Sequence, residues 1–243
     1  MQRVVIVTGA GGWLGSAIVK AFVDAGDKVL VADSHKESLD QVVAANNKSP
    51  GQVIACSVDT RNYAQVEGMV KEAVKTWGRL DLMVCVAGGI LTRLKRVSRV
   101  GEKLLIDHTE EDWDLVVDSN LKGSFHCIKA AAAPMIAQKD GQILLMGSGA
   151  GSKGSKKRAA YSAAKAGMLG LMKTAALELG EHNVRVNVIS PGRNPHPGEA
   201  SNPEGNILPK TNTPPDVAAF FVHVSRMTNI SGQIFNLDSR ILF

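Results

Sequence analysis

The chain has 243 residues, of which 44% are apolar and 21% charged, and its formal net charge at pH 7 is +5. This composition excludes a fibrous, collagen-like or largely disordered chain. Cys56, Cys85 and Cys127 form neither a CxxC motif nor a disulfide framework. No apolar run reaches the roughly 20 residues of a membrane helix, and the chain opens without a signal-peptide core. We therefore expect a cytoplasmic protein that does not associate with a membrane.

Short apolar runs rich in β-branched residues alternate with longer stretches of helical periodicity. The predicted strands are Val4–Thr8, Lys28–Ala32, Gln52–Ser57, Leu80–Ala87, Gln142–Met146, Val184–Ile189 and Gln233–Asn236. The predicted helices are Leu14–Ala25, Lys36–Asn46, Tyr63–Thr76, Glu110–Met135, Tyr161–Gly180 and Pro214–Met227. Strands separated by helices are typical of βαβ units and a parallel sheet, and nearly all-apolar strands indicate that both sheet faces are covered.

No linker or internal repeat divides the chain, so we predict one α/β domain over residues 1–243. Residues 193–213 are rich in Pro, Gly and Asn and are long for a connection in a compact domain. We expect them to form a substrate-binding loop or lid.

A glycine-rich turn, Thr8-Gly-Ala-Gly-Gly-Trp-Leu-Gly15, joins the first predicted strand to the first predicted helix. Glycines at such a junction let the backbone approach a pyrophosphate at the helix N-terminus. The spacing is not a strict GxGxxG, because Leu14 stands where its last glycine would be, so a tight turn without a ligand is the alternative. The candidate dinucleotide-binding residues of this turn are Gly9, Gly12, Trp13, Leu14 and Gly15.

Asp33 ends the second predicted strand, 18 residues after Gly15. An acid at this distance hydrogen-bonds the ribose hydroxyls of NAD and repels the 2′-phosphate of NADP. Lys36 is the nearest cation and would soften this preference, and a helix-capping role for Asp33 is the alternative. We favour NAD over NADP.

Tyr161 and Lys165 are four residues apart and share one face of a predicted helix. A free tyrosine has a pKa of about 10, and a nearby ammonium favours the phenolate and lowers that value. Such a tyrosine exchanges a proton with a ketone or alcohol while a hydride moves to or from a nicotinamide. Ser148 follows a central strand, where its hydroxyl would hold a carbonyl oxygen. Asn120 stands inside a predicted helix, which suggests a buried hydrogen-bonding role.

Together these motifs resemble the short-chain dehydrogenase/reductase family, and in particular its β-ketoacyl reductase-like members, over essentially the whole chain. The matching features, in order, are the glycine-rich turn, Asp59, Ala87-Gly88, Asn120, Ser148, Tyr161 with Lys165, and Pro191-Gly192. The resemblance implies a single-domain Rossmann fold, with a doubly wound seven-stranded parallel sheet and helices on both faces. It also implies a homotetramer or dimer that assembles through the two long helices.

The resemblance further implies a role for each matching residue. Tyr161 would be the general acid/base, Lys165 would tune it and bind the nicotinamide ribose, and Ser148 would orient the substrate oxygen. Asn120 would hold a water in a proton relay. The implied cofactor-binding residues are Gly9, Gly12, Trp13, Leu14, Gly15, Asp33, Asp59, Thr60, Ala87, Gly88, Tyr161, Lys165, Pro191 and Gly192.

The chain departs from the family pattern at the nicotinamide end. Trp13 replaces a glycine, Cys85-Val86 replaces two asparagines, and the threonine expected after Gly192 is missing. The principal interpretation is an oxidoreductase that transfers a hydride between NAD(H) and a secondary alcohol or ketone. These departures keep open an alternative, a catalytically weak relative that serves as a binding or structural subunit.

Two basic segments flank the predicted site, residues 91–103 and residues 151–158. A cleft lined by one sign of charge concentrates substrates of the other sign, which suggests an anionic substrate such as a 3-oxoacyl thioester of coenzyme A or acyl carrier protein, or a keto acid. Solvated loop charge is the alternative. The candidate substrate-binding residues are Lys156, Lys157, Arg158 and Arg193. No motif favours nucleic acid, and the six histidines show no metal-ligand spacing.

Overall fold

The computed structural model describes residues 2–89, 102–194, 207–208 and 210–238. Its centre is a seven-stranded sheet in which every neighbouring pair is parallel, in the order β3-β2-β1-β4-β5-β6-β7. The strands are β1 (Val4–Thr8), β2 (Lys28–Asp33), β3 (Gln52–Ser57), β4 (Leu82–Cys85), β5 (Gly141–Met146), β6 (Val184–Ser190) and β7 (Ile234–Asn236). This is the predicted doubly wound Rossmann fold in a single domain.

Helices cover both faces of the sheet. They are α1 (Trp13–Asp24), α2 (Lys36–Ala45), α3 (Tyr63–Trp77), α4 (Glu110–Val117), α5 (Gly123–Gln138), α6 (Ala150–Lys153), α7 (Ala159–Gly180) and α8 (Pro214–Val224). Buried side chains of α1, α2 and α8 form one core with alternate strand residues such as Val5 and Val7, whereas α3, α5 and α7 form the other with residues such as Val4 and Ile6. Because successive strand side chains point to opposite faces, an all-apolar strand supplies both cores.

The predicted helix Glu110–Met135 is present and extends to Gln138, but it is not α-helical throughout. The chain forms α4 and α5 with a π-helical turn over Asp118–Lys122 between them. Two hydroxyls bond back to main-chain carbonyls here, Ser119 Oγ to Leu115 at 2.6 Å and Ser124 Oγ to Asn120 at 2.7 Å. A π turn of this kind accommodates an extra residue in the helical repeat and re-aims the side chains around it.

Other boundaries differ by a few residues. The predicted strand Leu80–Ala87 is shortened to β4, because the chain beyond it turns through Gly88 and Gly89, whose φ angles are 123° and 134°. Helix α7 begins at Ala159, two residues before Tyr161, and the four-residue helix α6 was not predicted. Within the described ranges, no helix combines the length and the hydropathy that a bilayer span requires.

Candidate active site

A cavity of about 810 Å³ opens at the carboxyl ends of the central strands. It lies where the strand order reverses between β1 and β4, which is the ligand-binding crevice of a doubly wound sheet. Its wall includes the predicted cofactor residues Ala87, Gly88, Pro191 and Gly192. The volume falls within the range of roughly 300–1,000 Å³ that is usual for ligand pockets.

The glycine-rich turn forms one end of this cavity. A Cβ on Gly9, whose φ is 66°, would lie 2.7 Å from the Ala87 nitrogen, and one on Gly15 would lie 2.0 Å from the Gly9 carbonyl oxygen. Only glycine therefore allows the turn to pack this closely. Helix α1 begins at Trp13, within this turn, so the partial positive charge of its N-terminus lies at the cavity. This arrangement fits a pyrophosphate.

Asp33 lies at the end of β2 on the cavity wall. Its Oδ2 accepts a hydrogen bond from the Gly11 nitrogen at 3.1 Å, and its Oδ1 accepts one from the His35 nitrogen at 3.1 Å. Two backbone donors thus fix the carboxylate in place. Lys36, the cation expected to soften its effect, pairs instead with Asp40 at 3.0 Å along α2.

Asp59, Thr60 and Arg61 line the cavity near the end of β3. The Arg61 guanidinium bonds the Asp59 carboxylate, with Nη2 2.6 Å from Oδ2, and this hydrogen bond holds the pKa of Asp59 below its usual value. Thr60 is buried, and its carbonyl oxygen lies 2.9 Å from Nδ1 of His126 in α5. The helical layer therefore supports this edge of the site.

Tyr161, Ser148 and Lys165 come together at the end of β5 and line the cavity. Tyr161 lies on the first turn of α7, and Ser148 contributes a side-chain hydrogen bond to its phenol. Lys165 is 3% exposed, donates from Nζ to the Met146 carbonyl at 2.8 Å, and has Nζ 5.6 Å from the centre of the Tyr161 ring. The structure thus brings three of the four predicted catalytic residues to one place.

Burial dominates the electrostatics of Tyr161 and Lys165. Burial raises the pKa of Tyr161 above its usual value, against the opposing effects of the Ser148 hydrogen bond and the charge of Arg158. Burial also lowers the pKa of Lys165 to about 8, because its ammonium is removed from water. The charge of Arg158 opposes the effect of burial on the pKa of the phenol.

Asn120, the fourth predicted catalytic residue, is buried within the π turn. Its Oδ1 accepts from the Gly89 nitrogen at 2.9 Å, and its Nδ2 donates to the Gly89 and Val116 carbonyls at 3.1 and 2.9 Å. A Cβ on Gly88 would lie 2.6 Å from the same Oδ1. The Asn120 side chain therefore fastens the chain after β4 to the helical layer.

The predicted substrate-binding cations separate into two groups. Arg158 and Arg193 line the cavity, together with Lys153, whereas Lys156 and Lys157 are exposed and lie outside its wall. Of the four predicted substrate-binding residues, the structure brings Arg158 and Arg193 to the cavity wall and does not bring Lys156 and Lys157 to it. Of the other basic segment, Lys103 pairs with Asp112, and residues 91–101 lie outside the described residues.

Comparison with known proteins agrees with this geometry. A family model described as short chain dehydrogenase matches residues 3–196. The chain belongs to the short-chain dehydrogenase/reductase family. Its relatives include 3-oxoacyl-[acyl-carrier-protein] reductase FabG of Thermotoga maritima, 32% identical over 99% of this chain and 98% of that protein. The corresponding reductase of Synechocystis is 37% identical over 78% of this chain and 73% of that protein.

Solved structures show the same fold. A short-chain type dehydrogenase/reductase from Mycobacterium ulcerans superposes with a TM-score of 0.90 at 26% identity, covering 98% of this chain and 90% of that one. An NAD⁺-bound xylitol dehydrogenase gives a TM-score of 0.87 at 24% identity, covering 97% of both chains. Members of the family bind a nicotinamide dinucleotide and act as oxidoreductases, and the predicted resemblance to β-ketoacyl reductases is confirmed.

The sequence analysis did not predict two charged residues that line the cavity, Arg61 and Glu102. Arg61 stands two residues after Asp59, so a local ion pair could have been considered. Glu102 contacts Arg158, 56 residues away, with Nη2 of Arg158 2.5 Å from Oε1 of Glu102. No local sequence pattern predicts an ion pair between residues so far apart in the chain.

Replacing Gly15 with alanine should weaken dinucleotide binding by about tenfold or more. The new Cβ would meet the Gly9 carbonyl at 2.0 Å, so the turn must open and its N–H groups must move. Fluorescence titration with NADH measures the effect. Gly68→Ala is the matched control, because nothing lies within 4 Å of a Cβ at that position in α3. An unchanged Kd for Gly15→Ala would contradict the assignment of the turn.

Proposed function

We propose that this protein is an NAD(H)-dependent oxidoreductase that interconverts a secondary alcohol and a ketone. The observation that carries the proposal is the meeting of Tyr161, Ser148 and Lys165 in the same cavity as the glycine-rich turn and Asp33. A proton-transfer group and a dinucleotide cradle in one crevice are what carbonyl reduction requires.

Each residue has a distinct task in the proposed reaction. When bound, the nicotinamide supplies or accepts the hydride. Tyr161 gives a proton to the carbonyl oxygen, or takes it from the alcohol, through its phenolic oxygen, while Ser148 hydrogen-bonds the same substrate oxygen. Lys165 binds the nicotinamide ribose and remains anchored to Met146. Asn120 holds the loop beside the site and would hold a water in the proton relay.

Asp33 supports NAD over NADP. Its carboxylate is held by two backbone N–H groups, so it cannot turn away from a phosphate placed at the end of β2. Lys36 is engaged with Asp40 and provides no compensating charge at this wall. A ribose hydroxyl would donate to the carboxylate, whereas a 2′-phosphate would be repelled by it.

An anionic ketone is the proposed substrate, either a 3-oxoacyl thioester of coenzyme A or acyl carrier protein or a keto acid. Arg158, Arg193 and Lys153 line the cavity, whose wall carries five Lys and Arg residues and three Asp and Glu residues. The 3-oxoacyl reductases among the relatives favour the thioester. We assign residues 193–213 to the substrate-binding loop, since Arg193 and Asn194 already line the cavity.

Two further features belong to the proposal. We expect a homotetramer or dimer assembled through α4–α5 and α7, on whose surfaces Trp113, Phe125 and Leu177 expose large apolar side chains. The three free thiols fit a reducing compartment such as the cytoplasm.

Replacing Tyr161 with phenylalanine should reduce turnover by about 10²- to 10⁴-fold, because the proton donor is lost while the ring is kept. NADH oxidation with acetoacetyl-CoA measures turnover, and fluorescence titration shows that NADH still binds. Tyr63→Phe is the matched control, because Tyr63 lies outside the cavity wall. Activity that is indifferent to Tyr161→Phe would favour the alternative, a binding or structural subunit, which Trp13 and Cys85 suggest.

Replacing Asp33 with asparagine should raise the affinity for NADPH relative to NADH by about tenfold or more, since the fixed negative charge is removed. Titration of each variant with both nucleotides gives the ratio without any substrate. Asp114→Asn, which removes an exposed acid on α4 outside the cavity wall, is the control and should leave the ratio unchanged. A wild-type protein that already prefers NADPH would contradict the cofactor assignment.

Acetoacetyl-CoA should show a lower KM than the N-acetylcysteamine thioester of acetoacetate, which has the same reacting group without the phosphates. Added salt should raise the first KM and not the second, because screening weakens attraction to the basic mouth. Equal KM values for the two thioesters would leave the assignment as a reductase in place and contradict the proposal that the substrate is an anionic thioester. Acetoacetate tests the keto-acid form in the same assay.

A further inference from the structure

Arg158 and Glu102 form an ion pair on the wall of the cavity that holds Tyr161. Nη2 of Arg158 lies 2.5 Å from Oε1 of Glu102, and the two side chains are 37% and 20% exposed. The backbones of Lys103 and Arg158 also form an isolated parallel bridge. The pair therefore joins the chain at residues 102–103 to the start of α7.

Arg158 is close to Tyr161 because the two residues are near each other in the chain. It is the N-cap residue of α7, and Tyr161 follows three residues later on the first turn. The backbones of the two residues are therefore about one helical turn apart. Both side chains line the same cavity, and the positive charge of Arg158 favours the phenolate of Tyr161.

Lys165 and Arg158 differ in how permanent their positive charges are. The ammonium of Lys165 is buried and donates to the Met146 carbonyl, and burial lowers its pKa to about 8. A guanidinium keeps its charge at every pH at which proteins are folded. Arg158 is thus the permanent cation beside the phenol.

Several other polar or charged groups face this part of the site. Ser148 comes from the segment after β5 and Cys85 from the end of β4, and the cavity wall adds two cations and one acid. The charged residues that line the cavity away from the glycine-rich turn and the ends of β2 and β3 are Glu102, Lys153, Arg158, Lys165 and Arg193, and Ser148 lines it as well. Only Glu102 among these acts as a carboxylate, and it contacts Arg158 directly.

We propose that Arg158 is a positioning residue for proton transfer, whose fixed charge stabilises the phenolate of Tyr161 to a degree that Glu102 limits. The inference rests on the proposed function only in giving Tyr161 the proton-transfer role. Removing Glu102 leaves the guanidinium charge uncompensated and favours the phenolate. Removing Arg158 leaves a carboxylate beside the phenol and disfavours it.

The chain has only two tyrosines, Tyr63 and Tyr161, so the phenol can be titrated directly. In a Tyr63→Phe background the near-ultraviolet absorbance of phenolate reports Tyr161 alone, and no substrate is needed. Circular dichroism at each pH shows the range over which the protein remains folded. Tyr63→Phe/Tyr161→Phe gives the baseline.

In this background Glu102→Gln should lower the midpoint of the Tyr161 titration by about half a pH unit to one pH unit. Arg158→Gln should raise this midpoint by a similar amount, or beyond the pH range in which the protein is folded. The double variant should return close to the starting value, because the two charges are removed together. Arg158→Lys should stay near the starting value, since it keeps the charge. This last result separates charge from structural support.

The controls are Lys173→Gln and Glu178→Gln, exposed charges on the same helix and roughly 18 and 26 Å further along it, which should leave the midpoint unchanged. An unchanged midpoint in Glu102→Gln overturns the inference, and so does a Glu102→Gln shift equal to that of a control. An Arg158→Lys variant that behaves like Arg158→Gln overturns it as well. Failure of the proposed function appears separately, as absent turnover with a normal titration.

Discussion

All seven strands of the sheet run in the same direction, so their carboxyl ends meet at one edge. The candidate site depends on this constraint, because each polar residue follows a strand and is delivered to that edge by a buried, rigid element. Asp33 ends β2, Ala87 and Gly88 follow β4, and Ser148 follows β5. Since both faces of the sheet are covered by helices, this edge is where a ligand reaches the strand ends.

One buried bond connects this edge to the helical layer. Lys165 belongs to α7, yet its ammonium is bonded to the carbonyl of Met146, the last residue of β5. A cation held out of water loses hydration, and for that reason its pKa falls to about 8. Tyr161 lies one helical turn before Lys165 on α7. The bond between Lys165 and Met146 therefore helps to position the part of the helix that carries the phenol.

The helical layer contributes in a second way, through the π turn at Asp118–Lys122. By accommodating an extra residue, the turn brings the Asn120 amide to the Gly89 backbone, where it makes two hydrogen bonds. The loop after β4 is thereby fixed although Cys85 and Val86 lack the amides usual at this place. Arg158 and Glu102 close the opposite wall, so charge as well as shape is set by contacts between distant segments.

The sequence by itself determined the alternating βα order, the parallel sheet, the glycine-rich turn and the placement of Tyr161 and Lys165 on one helix, because these depend on local periodicity and on the need for glycine at tight turns. Only the tertiary structure decided the π turn that contains Asn120, the exposure of Lys156 and Lys157, and the pairing of Arg158 with Glu102. The same holds for the pKa of Tyr161. Burial and long-range charge pairing depend on which segments the fold brings together, and no local spacing encodes that information.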